Sequence, residues 1–305
     1  MKYIDIGNGK LHAPAIALGC MRIAKMPIGE VAALVDTALE AGINFFDHAD
    51  IYGIGKSEEV FAEAVDMKPS IREKFIIQTK CGIRDGFYDF SKEHILASVD
   101  GSLKRLKTDY IDILLLHRPD TLMEPEEVAE AFDILYRSGK VKYFGVSNQH
   151  PMQIELLSKY LNQDILIDQL QFSIAHTGMI DFGLNVNMKN EPSINRDGSI
   201  LEYCRLKGIT IQAWSPFQYG FFDGVFLDND KFPELNQKIN EIAEEKGVAN
   251  TAIAVAWILR HPAKIQTIVG TTNSKRLKDI CQASEVELTR QEWYEIYKAA
   301  GNKLP

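Results

Sequence analysis

Only four cysteines, Cys20, Cys81, Cys204 and Cys281, are spread over 305 residues, and no two stand in CxxC spacing. That excludes a disulfide framework and a structural zinc site, and it describes free thiols in a reducing compartment. Long apolar runs are also missing, since no stretch approaches the roughly 18 residues a membrane span needs. The opening Met1-Lys2-Tyr3-Ile4-Asp5-Ile6 has no apolar core of a secretory signal. Cytoplasmic residence without a membrane partner is therefore expected. Positive charge is scarce, with 34 Lys and Arg against 42 Asp and Glu for a formal net charge of −8. No basic stripe is present, which argues against nucleic acid as a partner. No Pro/Gly/Ser-rich linker, composition break or low-complexity tract interrupts the chain, so residues 1–305 read as one domain.

The hydrophobic share is 46%, enough for a large core. Aliphatic and β-branched runs stop repeatedly at polar residues: Ile43-Asn44-Phe45-Phe46 before Asp47, Phe75 to Thr79 before Lys80, and Ile111 to Leu116 before His117. Such runs read as buried strands of a parallel sheet. Each precedes an amphipathic segment of helix length, and the alternation continues along the chain, as βα units do. The expected fold is α/β, a (β/α)8 TIM barrel with an N-terminal β-hairpin and extra helices. Further strands are expected over Ala15–Gly19, Lys142–Val146, Ile165–Gln171, Ile209–Trp214 and Ile265–Val269. Helices are expected over Ile28–Ala41, Ser57–Val65, Ser91–Leu106, Glu124–Ser138 and Pro151–Tyr160, and from Ser274. Additional helices are expected over Glu234–Lys246 or Thr251–Arg260, and over Arg290–Ala300. The Asn8-Gly9 pair between Ile4–Ile6 and Leu11 suits the tight turn of the hairpin.

Two connections, Phe172 to Arg196 and Pro216 to Lys231, exceed the usual loop length, and such loops are commonly functional. The second interleaves Phe217, Tyr219, Phe221, Phe222 and Phe226 with Gly220 and Gly224. That composition suits a flap over a flat, partly apolar ligand, or equally a packed Ω-loop.

In a closed barrel the carboxyl ends of the strands converge on one mouth, which brings Asp47, Tyr52, Lys80 and His117 together. A tyrosine is a poor acid in water, with a pKa of about 10. A nearby ammonium on Lys80 favours the phenolate of Tyr52, Asp47 would hold Lys80 charged, and His117 can donate to a carbonyl oxygen. Together these groups can protonate an alkoxide formed by hydride attack. No metal site is expected from Asp47, His48 and Asp50, because adjacent strand residues face opposite ways. Gly55-Lys56-Ser57 resembles the end of a phosphate-binding P-loop, but Asp50 occupies the place of its first glycine. His117-Arg118-Pro119-Asp120 superficially resembles a kinase catalytic loop, yet no Gly-rich loop or Asp-Phe-Gly segment accompanies it. A barrel glycosidase needs two inward carboxyl groups at strand ends, and only Asp47 qualifies.

These pieces, with Leu18-Gly19-Cys20-Met21-Arg22, Thr79-Lys80, Gly145-Val146-Ser147-Asn148, Gln169, Ala213-Trp214-Ser215-Pro216 and Gly270-Thr271 to Arg276, resemble the aldo-keto reductases in order and along almost the whole chain. The resemblance implies an NAD(P)H-dependent oxidoreductase that reduces small-molecule aldehydes or ketones to alcohols. Tyr52 would be the general acid, Lys80 and Asp47 would tune it, and His117 would orient the carbonyl. The resemblance also implies a cofactor site. Ser147, Asn148 and Gln169 would hold the nicotinamide carboxamide, Trp214 would stack on the ring, and Asp47 would reach the ribose. Ser215 and Phe217 would lie along the pyrophosphate, Thr271 and Arg276 would take the adenosine 2′-phosphate, and the neighbouring Gly270 and Thr272 would also belong to the cofactor site. Cys20 and Met21 complete the implied set. An arginine at 276 can bind a phosphate bidentately and stack on adenine, which points to NADPH. Gly270 stands where many members have lysine, and Ile280 where many have asparagine. Met21, Ile51, Phe87, Tyr88 and the Phe-rich loop are the expected substrate wall, suited to modest-sized apolar or aromatic carbonyls. The alternative is a redox-sensing module on the same fold that binds NADPH with negligible turnover, against which the intact quartet argues.

Overall fold

In the computed structural model, which describes residues 1–305, an antiparallel hairpin of β1 (Tyr3–Ile6) and β2 (Leu11–Pro14) comes first. Its turn, Gly7-Asn8-Gly9, has φ values of 58°, 57° and 86°, a left-handed run that Gly and Asn adopt most cheaply. The hairpin seals the barrel floor. Ile6 and Ala13 are fully buried with Phe45, Ile113 and Ile167 from the barrel interior, and the Gly7 amide donates to Thr210 Oγ1 at 3.1 Å.

The barrel strands are β3 (Ile16–Gly19), β4 (Phe45–Asp47), β5 (Ile76–Cys81), β6 (Ile111–Leu116), β7 (Val141–Ser147), β8 (Ile165–Gln171) and β9 (Thr210–Trp214), closed by β12 (Gln266–Val269). All eight neighbouring pairs are parallel. Side chains alternate across each strand, so parity decides what faces inward. Phe45 and Asp47 share the inner face of β4, Gln78 and Lys80 that of β5, and Ile113, Leu115 and then His117 that of β6. The intervening Phe46, Ile77, Leu114 and Leu116 pack outward into the larger apolar layer beneath the helices. Gly145 on β7 is required by this packing. A Cβ there would stand 2.6 Å from Leu115 Cδ2 and 2.8 Å from the Ile167 carbonyl oxygen.

The surrounding helices are α1 (Ile28–Glu40), α2 (Lys56–Ala64), α3 (Pro69–Arg72), α4 (Lys92–Leu106), α5 (Pro125–Arg137), α6 (Pro151–Ser158), α7 (Gly178–Leu184), α8 (Ile200–Lys207), α9 (Pro233–Lys246), α10 (Asn250–Leu259), α11 (Ser274–Cys281) and α12 (Arg290–Ala299). Ser91 caps α4 by accepting from the His94 amide, as its sequence position suggests. Most expected elements appear within one or two residues of their expected ends. The expectation of one helix over 234–246 or 251–260 is exceeded, since α9 and α10 both form. The long connection from Phe172 contains α7, whose Gly178 and Gly183 weaken the helical signal, and α8 follows it. The Phe-rich loop carries a short hairpin, β10 (Gln218–Tyr219) with β11 (Gly224–Val225). No helix is long and apolar enough to cross a membrane.

A buried ion pair ties α2 and α4 to the barrel. Glu58, fully buried, accepts from Thr79 Oγ1 at 2.6 Å and from Arg105 Nε at 2.7 Å. This fixes α2 immediately after the turn that carries Tyr52.

Candidate active site

At the carboxyl ends of the strands lies a cavity of about 810 Å³, and Asp47, Tyr52 and His117 line it. Lys80 does not line it but lies buried behind Asp47 and Tyr52. The fully buried Lys80 Nζ donates to Asp47 Oδ1 at 2.7 Å, to the His48 carbonyl at 2.8 Å and to Tyr52 Oη at 3.3 Å. All three ammonium donors are thus used, and the Tyr52 hydroxyl proton is left to donate toward the cavity. The chain reaches Tyr52 through a tight turn whose next three residues, Gly53, Ile54 and Gly55, have φ of 60°, 57° and 82°. Left-handed backbone at the β-branched Ile54 is uncommon, and strain of this kind gathers at functional sites.

Burial alone would lower the Lys80 ammonium, but the charge of Asp47, the Tyr52 oxygen and the hydrogen bonds to both more than offset it. The net direction is upward, so Lys80 stays charged. Tyr52 is under two opposing influences. Burial is the largest influence and pushes its phenol above the ordinary value, Lys80 counters it, and Asp47 adds to the rise. Lys80 therefore limits the cost of burial without making Tyr52 acidic outright. A phenol that stays protonated is still a competent donor to an alkoxide, which is a much stronger base. His117 is held neutral, its pKa driven well below the usual histidine value by burial first and then by the Lys80 and Arg118 charges. Its ring meets Tyr52 edge-on at 5.9 Å between centroids, and Nδ1 is buried without a hydrogen-bond partner. A neutral imidazole can donate one N–H to a carbonyl oxygen.

A layer of glutamines below the mouth positions the carboxylate. Asp47 Oδ1 also accepts from Gln78 Nε2 at 2.5 Å and from Gln169 Nε2 at 3.2 Å. Gln78 and Gln169 both donate to Gln212 Oε1 at 2.9 Å, and Gln212 Nε2 donates to Gln266 Oε1 at 2.7 Å. The sequence reading singled out Gln169 alone. Inward parity on strands already expected was the signal that could have found Gln78 and Gln212.

One side of the cavity carries a polar ladder: Ser147 Oγ donates to the Gln169 carbonyl at 2.9 Å, Asn148 Nδ2 donates to Ser147 Oγ at 2.7 Å, and Trp214 Nε1 donates to Asn148 Oδ1 at 3.2 Å. Asn148 and Ser215, at the ends of β7 and β9, have φ of 56° and 53°. Phe217, Gly270, Thr271 and Arg276 also line the cavity. Arg22 donates to the Gly270 carbonyl at 3.2 Å, beside the space that a side chain at 270 would fill.

Three expected site residues lie elsewhere. Cys20 is buried with Sγ 3.7 Å from the Leu18 carbonyl, and its thiol is pushed well up by burial. Thr272 is exposed and does not line the cavity, because the chain direction that turns Thr271 inward turns its neighbour out. Phe87 is also outside the cavity, 55% exposed and stacked with Arg84 at 5.3 Å, whereas Tyr88 faces in. Met21, Ile51 and Tyr88 line the cavity as expected, joined by Phe221 and Phe222. Phe226 instead packs into the core. Arg22, Arg118, Asp228 and Thr251 line the cavity without having been singled out as binding residues. His48 packs edge-on against Phe61 behind the barrel wall, with both ring nitrogens unpartnered. No group of three His, Cys, Asp or Glu side chains could hold a metal ion. Lys56 and Ser57 begin α2, well after β4 has ended at Asp47.

Comparison with known proteins agrees with this geometry. The profile of the Aldo/keto reductase family matches residues 15–300. The uncharacterized oxidoreductase YcsN of Bacillus subtilis is 38% identical over 290 residues, 90% of each chain. A 6-dehydroglucose reductase of Agrobacterium fabrum is 35% identical over 97% of both chains. Among solved structures, the thermostable aldo-keto reductase Tm1743, crystallised with the inhibitor epalrestat, superposes with a TM-score of 0.79 at 27% identity, covering 98% of this chain and 100% of that one. The chain therefore belongs to the aldo-keto reductase family of oxidoreductases, which reduce small-molecule carbonyls with a nicotinamide cofactor on a closed (β/α)8 barrel.

Proposed function

We propose that this protein is an NADPH-dependent carbonyl reductase in which Tyr52 gives the proton. The observation that carries the reading is the contact set of Lys80, 2.7 Å from Asp47 and 3.3 Å from the Tyr52 hydroxyl, beside a neutral His117 at the cavity wall. When bound, the nicotinamide supplies the hydride. His117 donates to the substrate oxygen and orients it, and Tyr52 passes its proton to that oxygen as negative charge develops there. Lys80 then stabilises the phenolate left behind, and Asp47 keeps Lys80 charged and in place.

The polar ladder suits the carboxamide of a nicotinamide. Ser147, Asn148 and Gln169 would hold it, and the Trp214 ring would stack on the heterocycle. Ser215 and Phe217 would follow the pyrophosphate, with Thr271 and Arg276 at the far end taking a 2′-phosphate. Arg276→Ala is expected to weaken NADPH binding about thirtyfold, the worth of about 2 kcal/mol for a charge-assisted hydrogen bond, and NADH binding much less. Equal weakening of both in a fluorescence titration contradicts the 2′-phosphate role.

The function itself is tested by following NADPH absorbance with a carbonyl panel that includes an aromatic aldehyde and polar aldehydes. The name of the Agrobacterium relative, a 6-dehydroglucose reductase, is the reason for the polar arm. Aldehyde-dependent loss of absorbance is the expected result. Tight cofactor binding without consumption of any carbonyl would favour a binding-only protein.

A further inference from the structure

Arg118 follows His117 directly and lies on the cavity wall beside the reacting end. Its guanidinium stands 5.6 Å from the ring centroids of both Trp214 and Phe221. It is half-buried and makes no hydrogen bond or ion pair. The structural arginines behave differently: Arg72 pairs with Asp112 at 2.6 Å, Arg84 with Asp89 at 2.9 Å and Arg105 with Glu58 at 2.7 Å. Burial lowers the Arg118 pKa, and only the oxygens of Tyr88 and Tyr52 oppose that; no carboxylate does. At this end of the cavity Lys80 is cancelled by Asp47 and His117 is neutral, so the charge of Arg118 is uncompensated. Asp228, the other acid on the lining, accepts from Asn250 at 3.1 Å near Thr251.

We propose that Arg118 recognises a carboxylate on the carbonyl substrate, which makes oxo-acids with an apolar or aromatic body the preferred substrate class of this site. The proposal rests on the reductase reading above and names its specificity. A partly desolvated cation without a counter-ion gains from an anionic ligand what it lacks in the free protein. The planar fork of guanidinium matches a carboxylate bidentately. Phe221, Tyr88 and Ile51, also on the lining, supply apolar surface for the body of such a substrate. A neutral aldehyde of the same shape packs on that surface but leaves the guanidinium unpaired.

The test compares 4-formylbenzoate with 4-formylbenzamide, a pair matched in shape, in the NADPH-loaded wild type and in Arg118→Met and Arg118→Lys. The expected wild-type preference for the carboxylate in kcat/KM is about thirtyfold, a charge-assisted pair of about 2 kcal/mol. In R118M the ratio should collapse to about one, and in R118K part of it should return, because charge is kept and the fork is lost. Equal wild-type rates overturn the proposal, and so does an R118M variant that loses both substrates equally, since that is the signature of a purely structural arginine. Binding of 4-(hydroxymethyl)benzoate and its amide, read by Trp fluorescence of the NADP-loaded protein, decides the matter independently of turnover. If neither these aldehydes nor any carbonyl of the wider panel is reduced, the reductase reading fails. Arg118-dependent tighter binding of the carboxylate would still support the recognition site, and equal binding of the two would refute it.

Discussion

Tyr52→Phe is expected to lower kcat/KM for aldehyde reduction by about a thousandfold, within the range that a positioned general acid contributes. NADPH binding should be retained. Phenylalanine keeps the ring that meets His117 edge-on at 5.9 Å, and it keeps the shape of the left-handed turn after it. What it removes is the one hydroxyl in contact with Lys80 that can hand a proton to the cavity. Loss should appear in kcat, because the proton is needed only as charge develops on the substrate oxygen. Steady-state kinetics with an aromatic aldehyde checks this, and a rate within about tenfold of wild type would remove Tyr52 from the role of proton donor.

Lys80→Met should be worse for the molecule as a whole. The Lys80 side chain is 0% exposed and that of Asp47 is 3% exposed, so the variant leaves a buried carboxylate without its counter-charge. Breaking a buried pair from one side costs about 3–5 kcal/mol. Two glutamine amides still reach Asp47, from Gln78 and Gln169, which softens the loss without neutralising the charge. Activity should fall at least a hundredfold, since the phenolate left by proton transfer loses its partner. Denaturant unfolding separates stability from chemistry. Adding Asp47→Asn to Lys80→Met should recover much of the stability and none of the activity, because both charges are then gone. A double variant less stable than Lys80→Met alone would contradict the uncompensated-charge account.

Much of the barrel could be read from the chain because strand length, β-branched content and the polar stops at Asp47, Lys80 and His117 obey one parity rule. Asp47 and His117 face the mouth for the same reason that Phe46 and Leu116 face the helices. Where a second influence competed, reading was harder. Gln78 and Gln212 look like ordinary strand positions until the barrel closes and five polar side chains meet across its axis. The helix at 178–184 was hidden by two glycines in seven residues. Phe87 and Tyr88, and likewise Thr271 and Thr272, are neighbours of which one faces the cavity and one faces solvent, a choice set by loop geometry that no periodicity encodes. The direction of the Tyr52 shift depended on how deeply the phenol is buried, and a sequence carries the charge of Lys80 but not that depth. In the sequence Arg118 sits within a kinase-like tetrapeptide, and only in the folded chain does it stand out, against the Trp214 and Phe221 rings and without a polar partner.

The measurement that bears most directly on the central claim is a single turnover with NADPH deuterated at the transferring C4 position, an aromatic aldehyde, and mass analysis of the alcohol. The account predicts one deuterium on the carbinol carbon and an exchangeable hydrogen on oxygen, with the rate falling about a thousandfold in Tyr52→Phe. Tight cofactor binding with no labelled alcohol, or an alcohol whose carbinol hydrogen comes from solvent, would contradict it.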